Sequence, residues 1–404
     1  MPPPADTPVA YFDHAATTPV LPEVVDVLVQ HLRRLGNPSS LHGSGRSARR
    51  VVEESRESIA HALHARPGDV VFTSGGTEAD NLAVKGIATA RRAADPSRVR
   101  VLAPAVEHHA VLDSLEWLDK SAGLHVDFLD VDEQGRLRLD DLAARLHGEA
   151  DQVALVTCMW ANNEVGTVQP VAQVVALAHD HGIPVHSDAV QAVGALPLDF
   201  EASALDAMTV TAHKIGGPVG IGALLVRREV EVAPLLHGGG QERQIRSGTL
   251  DAPAIAAFAC AVQLAVRRQA GQAARLEALR CDLLERLQHA VPDAVLNGDP
   301  APGPTHRLPG IAHVSFPGCE GDSLLMLLDA VGIECSTGSA CTAGVPQPSH
   351  VLLAMGRSEA QARGSLRLSL GHTSTRADVD RLVTALPGAV ERARAAGLSD
   401  AEGR

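Results

Sequence analysis

A lysine in a chain that carries almost all of its positive charge on arginine is the first residue with chemistry to offer. Of 35 Lys and Arg residues only three are lysines, and one of them, Lys214, stands in the glycine-punctuated segment TAHKIGGPVG. An amine can lose its proton and add to a carbonyl, whereas a guanidinium in a protein does neither. Lys85, on an amphipathic helical pattern, and Lys120, near a helix end, have no comparable setting. Twenty-six residues before Lys214, the segment VHSDAVQ has strand character. It puts His186 and Asp188 on one face and Val185 and Ser187 on the other. A carboxylate at the C-terminal end of such a strand can hold a ring nitrogen protonated, and an Asp there can equally be buried and satisfied by backbone donors. Further upstream, DVVFTSGGTEADN reads as a strand ending at Phe72, a turn of small residues, and a helix with Thr77 as N-cap and Asp80 three residues on. The N–H groups and dipole of that helix end suit an anion, although an ordinary capped helix reads the same way. The GxxxxGK[ST] pattern of a nucleotide P-loop is missing.

An anion turn, a carboxylate and an amine, in that order, are the three parts that a pyridoxal phosphate site needs. Cys341 adds a fourth. It lies in ECSTGSACTAG, with no bulky apolar residue from Ser336 to Gly344, so the stretch cannot bury itself and is expected to form an exposed, mobile loop. An accessible thiol on such a loop is a nucleophile. Cys158 and Cys260 lie in apolar strand and helix patterns and read as small core residues. The six cysteines form no CxxC pair, and the histidine pairs in VEHHAV and AHDHG lack the HExxH spacing, so no metal site is predicted. HGGG at His237 to Gly240 has no GxSxG elbow to complete a serine hydrolase.

These residues need a scaffold that converges them. From about residue 50 to 230, short Val-rich strands alternate with Ala/Leu/Arg helices, the pattern of βαβ units feeding a mostly parallel sheet. In the clearest unit a strand over 153–159 leads through WANNEVGTVQP to a helix over 171–181 and then to IPVHSD. Open α/β sheets bind ligands at the carboxyl ends of their strands, where Asn162, Asn163 and Asp188 fall. A helical stretch over 251–290 connects to a smaller C-terminal part holding the strand patterns IAHVSF and SLRLSL. NGDPAPGPTHRLPG reads as a surface loop and the residues after Gly388 as an Ala/Arg helix. Length 404 suits two or three domains, and 2% aromatics forces a core of Ala, Val and Leu. A net charge of −13 without a basic run excludes direct nucleic-acid or anionic-membrane binding. The start, MPPPADTPVA, lacks the features of a signal peptide, no apolar run is long enough to span a bilayer, and a cytoplasmic location is expected.

With those residues placed, the chain resembles the NifS/IscS-like (group I) cysteine desulfurases of the class V aminotransferase family. The likeness rests on YFDHAATTP, TSGGTEADN, EHHAV, ANNEVG, HSDAVQ, AHK, GGGQERQIRSGT, STGSACT and SLRLSLGHT, which span most of the chain. It implies the fold type I of pyridoxal 5′-phosphate (PLP) enzymes. In that fold a mostly parallel seven-stranded sheet sits in a large α/β domain (18–268), and a smaller α+β domain (1–17 and 269–404) carries the cysteine loop (about 335–346). It implies that Lys214 bears the cofactor covalently and moves the substrate Cα proton, that Asp188 pairs with the ring nitrogen, that Gln191 reaches the ring hydroxyl and that His108 stacks on the ring. Gly76, Thr77, Thr211 and His213 would hold the phosphate, with Thr249 arriving from the second subunit of a homodimer. Asn37, Asn163 and Arg367 would clamp the substrate carboxylate. Cys341 would take sulfur from L-cysteine as a persulfide, leaving L-alanine. It would then pass that sulfur to acceptor proteins for iron–sulfur assembly or tRNA thiolation, with a transient Fe–S contact at Cys341. The family often has Ser where Thr211 stands, and members serving a scaffold protein often have a longer C-terminal segment. Rival readings are a selenocysteine lyase or cysteine sulfinate desulfinase, neither needing Cys341, and a non-catalytic PLP-binding scaffold.

Overall fold

The computed structural model describes residues 9–338 and 347–402. Its strands, in chain order, are β1 (Ala10–Tyr11), β2 (Val70–Thr73), β3 (Arg100–Pro104), β4 (His125–Leu129), β5 (Val153–Thr157), β6 (Val185–Asp188), β7 (Ala207–Thr211), β8 (Gly222–Val226), β9 (Val295–Asn297), β10 (Ile311–Ser315), β11 (Ile333–Glu334) and β12 (Ser365–Ser369). Seven of them form one sheet in the order β2-β8-β7-β6-β5-β3-β4. β8 pairs antiparallel with both β2 and β7 and all other neighbours are parallel, so six strands run one way.

Every residue of β5, β7 and β8 is buried, as expected of strands covered on both faces. Successive residues serve opposite layers. Phe72, Leu102, Val156 and Leu225 enter one core, while their neighbours Val71, Val101, Leu155 and Leu224 enter another. The second of these cores is closed by Ala79, Leu82, Ala83 and Ile87 of the helix Gly76–Ala94, whose N-terminus therefore sits at the carboxyl edge of the sheet. The first takes Ile255 and Phe258 from the helix Ala252–Ala290. Alanine, valine and leucine supply most of this packing, as the scarcity of aromatics requires.

β12, β10 and β9 make a separate antiparallel sheet, and β1 pairs with β11. Their core contains Phe12, Val314, Phe316, Leu366 and Leu368. Leu283 and Leu287, near the end of the 39-residue helix Ala252–Ala290, belong to it as well, so a single helix is anchored in both bodies. The expected boundary at residue 268 falls inside that helix.

One expectation needs correction. The Pro/Gly-rich stretch near residue 300 is not purely a surface loop, since Asn297, Asp299 and Arg307 are at most 3% exposed. Arg307 donates to the carbonyls of Asp299 (2.8 Å) and Ile311 (3.0 Å), and Asp299 accepts from Arg136 (2.7 Å). A polar composition marks a surface only when partners are lacking, and here they are built in. The helix expected after Gly388 is the end of the C-terminal helix Arg376–Glu402, whose Ala389, Val390 and Ala393 pack into the second core. Among the described residues, no helix is long and apolar enough to cross a membrane.

Candidate active site

The carboxyl edge of the large sheet gathers the predicted residues. β6 ends at Asp188, β7 ends at Thr211 with His213 and Lys214 just beyond, and the helix after β2 begins at Gly76. His108 follows β3 and Asn163 follows β5. All seven of these residues, with Thr77, Gln191 and Arg367, line one cavity of about 400 Å³. Arg367 comes from the middle of β12, in the other body, and reaches the cavity across the junction.

Burial decides the charges here. Asp188 is 6% exposed, and its carboxyl is raised to about 6 by burial against the opposing pull of the Val190 N–H (2.9 Å) and of Lys214. Burial, helped by Arg367, lowers the Lys214 amine to about 8. Its Nζ donates to the carbonyls of Ala15 and, at 2.7 Å, Ala16. An amine at that value carries a substantial neutral fraction near pH 8, which an ordinary lysine does not. His108 is lowered to about 4, first by burial and then by Lys214, so its ring is neutral. As N-cap of the helix His109–Ser121 it accepts the Ala110 N–H at Nδ1 (3.1 Å), which leaves the ring proton on Nε2.

Arg367 donates to the Asp13 carboxylate (2.8 Å) and the Asn163 carbonyl (3.2 Å), while its Nε is buried without a partner. That arrangement keeps the guanidinium in place with donor capacity to spare. Gln191 donates to the Ala15 carbonyl (2.9 Å), and Thr211 Oγ1 lies 3.4 Å from the Ile221 carbonyl.

The anion turn differs in detail from its sequence reading. The N-cap is Gly75 and not Thr77, because φ of 152° at that position is open only to glycine. Thr77 and its hydroxyl lie inside the first turn, and Asp80 is 1% exposed behind it instead of closing a capping box. With no side chain capping it, the helix leaves its first N–H groups facing the cavity edge. Arg243 and Arg246, in the motif GGGQERQIRSGT, are committed within the chain. Arg243 donates to the carbonyls of Gly68 and Val226, and Arg246 pairs with Glu78 at 2.8 Å.

Asn37 and Thr249 are exposed and do not line this cavity. Cys341 lies outside the described residues. Cys158 is buried and Cys260 half-buried, but Cys281 is exposed on its helix, so exposure alone does not single out Cys341. Sequence reasoning passed over three acidic residues at or beside the site, Asp13, Glu107 and Glu164, and took a fourth, Asp80, only as part of a helix cap. Glu107 is raised to about 8 and Glu164 to about 7, in both cases chiefly by burial. All four stand inside or at the edge of the motifs YFDHAATTP, TSGGTEADN, EHHAV and ANNEVG, which was the available signal.

Comparison with known proteins agrees with this geometry. Residues 10–382 match the family Aminotransferase class-V. The chain is 58% identical over 392 residues to an IscS-like cysteine desulfurase of Mycobacterium tuberculosis, covering 97% of this chain and 99% of that protein. Among solved structures, a NifS-like protein superposes with a TM-score of 0.86 at 34% identity, covering 95% of this chain and 99% of the other. SspA, solved in complex with cysteine, superposes with a TM-score of 0.75 at 32% identity, covering 89% and 98%. A sheet edge that converges a buried carboxylate, a weakly basic lysine and a neutral histidine thus sits in a chain that belongs to the class V aminotransferase family, among its IscS- and NifS-like cysteine desulfurases.

Proposed function

We propose that this chain is a PLP-dependent cysteine desulfurase that converts L-cysteine to L-alanine and leaves the sulfur as a persulfide on Cys341. The observation that carries the reading is the shared cavity of Asp188, Lys214 and His108, in which burial lowers the basicity of the amine and of the imidazole. The donor set fits the cofactor. An uncapped helix end at Gly76 and Thr77, with Thr211 and His213, suits a phosphate, and the Asp188 carboxyl group suits a protonated ring nitrogen. Bound there, PLP supplies an electron-withdrawing ring that makes both the Cα proton and the Cβ–S bond of the substrate labile.

The chain's own groups do the rest. Lys214 would hold the cofactor through its amine and carry the substrate Cα proton. Asp188 would keep the ring nitrogen protonated and Gln191 would hold the ring hydroxyl. His108 offers its apolar ring face for stacking and its Nε2–H as a donor. Arg367, braced by Asp13, takes the substrate carboxylate with Asn163. The Cys341 thiolate attacks the substrate sulfur. The S–S bond forms, the Cβ–S bond breaks with its electron pair left on carbon, and protonation there yields alanine. The active form is a homodimer in which Thr249 of the second copy completes the phosphate site. The persulfide sulfur then goes to acceptor proteins in a reducing cytoplasm. A relative solved with bound cysteine supports the substrate.

Supplied with PLP and L-cysteine, the protein should release alanine and carry one persulfide. Lys214→Arg should fold and lose roughly 10²–10⁴-fold of the rate, the usual worth of a positioned proton carrier. Cys341→Ala should bind cofactor yet make little alanine and no persulfide, as read by alanine quantitation and mass spectrometry. Full turnover without Cys341 would move the protein to the selenocysteine lyase or sulfinate class.

The lowered amine has a pH signature. The protonated lysine is inert, so covalent capture of PLP by the apoprotein, trapped with borohydride, should rise about tenfold per pH unit at low pH and level off above about 8. A midpoint near the ordinary lysine value would contradict the assignment.

Thr249→Glu should put a negative charge against the phosphate and inactivate the protein, as Lys214→Ala does by another route. Refolded together, the two variants should recover part of the activity, because one site of each mixed dimer has both residues intact. Mixed dimers as inactive as their parents would exclude a shared phosphate site.

A further inference from the structure

The segment Glu242–Gln244 is the most strained stretch of described backbone. Three consecutive non-glycine residues, Glu242, Arg243 and Gln244, have φ of 44°, 60° and 65°. Such residues crowd Cβ against the following carbonyl and occur singly as a rule, so something must hold the run in place. Glu242 is the evident candidate, since its side chain is only 2% exposed.

Its carboxylate sits on the open edge of the large sheet. β2 is the outermost strand and pairs only with β8. On its free side the Phe72 N–H donates to Glu242 Oε2 (2.7 Å) and the Val70 carbonyl accepts from Arg56 (2.7 Å). Arg56 in turn grips both oxygens of Glu242, at 2.9 and 2.7 Å, and stacks over the Phe72 ring at 4.7 Å. The Arg56–Glu242 pair thus takes the place of the missing next strand. A second clasp follows four residues on. Arg246 pairs with Glu78, which also accepts the Ser74 N–H at 2.6 Å. Between them the two pairs fix Phe72 to Glu78, the stretch that holds the anion turn, to the segment that leads to Thr249.

We propose that Glu242 is a positioning residue for a phosphate monoester. Held by Arg56, it keeps the 242–244 run in its left-handed turn and so sets the Ser74–Thr77 turn and the approach of Thr249. The inference rests on the reading above that the cofactor phosphate occupies the Gly76–Thr77 helix end, and it adds a residue that touches neither cofactor nor substrate.

The test compares affinities of the apoprotein for PLP and for pyridoxal, which lacks the phosphate. Glu242→Gln keeps the shape and removes the charge that binds Arg56, so PLP binding should weaken on the order of tenfold while pyridoxal binding stays unchanged. Adding Gln244→Gly, which relieves the strain at an exposed position, should restore much of the loss. Should Glu242→Gln fail to fold, Arg56→Lys decides, since it keeps the charge but loses the fork, and the same selective loss is expected. Equal weakening for both ligands, or none, would overturn the proposal, because a purely structural residue has no reason to discriminate by phosphate. If the unmodified protein binds pyridoxal as tightly as PLP, the phosphate reading of the helix end is the part that has failed, and this inference falls with it.

Discussion

A carboxylate buried beside an amine is the constraint on which the site is built. Asp188 lies on β6 among two other buried acids, Asp80 and Glu107, and all three cannot carry charge at once. Burial and the proximity of Asp188 hold Asp80 and Glu107 well above the usual carboxylate range, and only Asp188 has both a backbone donor and an amine to offset its desolvation. The sheet makes this possible by pairing β6 with β7 in parallel, so that Asp188 at one strand end and Lys214 just past the next come together at the same edge. Lys214 bears the converse effect. The burial that lowers its basicity gives it a neutral fraction that an exposed lysine would lack.

The second body contributes by reach. β12 pairs antiparallel with β10 and carries Arg367 at its centre, where a strand residue has little freedom to move. Asp13, beside the β1 end of the chain, fixes the guanidinium, and the helix Ala252–Ala290 ties the two cores together. A shift between the bodies would therefore appear first as a change in the distance between Arg367 and Lys214. This coupling makes the junction part of the site rather than a hinge beside it.

Much of this was legible in the residues. Lys214 was readable because its type is unusual for its setting, Asp188 stood at a strand end that an ordinary buried carboxylate could also occupy, His108 came only with the family resemblance, and the alternation of Val-rich strands with helices pointed to the sheet. Thr77 was misread as a cap because a hydroxyl before a helix is a common signal, whereas the φ of Gly75 is a property only of the folded turn. The partners of Arg243 and Arg246, which are Gly68, Val226 and Glu78, lie far off in sequence and are evident only in the fold. Asn37 and Thr249 stand away from the cavity of a single chain, so the expected place of Asn37 in the carboxylate clamp is not seen there, and the proposed role of Thr249 depends on a second copy. Glu107 and Glu164 went unread because their importance comes from burial, which neighbouring polar residues conceal.

The central claim is that Asp188 holds a proton on the cofactor ring. Binding PLP labelled with 15N in its ring and recording the 15N shift of the holoprotein across neutral pH reads that proton directly. A protonated ring nitrogen from pH 6 to 9 in the native protein, lost in Asp188→Asn, is the result this account predicts. A ring nitrogen that is unprotonated at pH 7 in the native protein, or equally protonated in the variant, would contradict it.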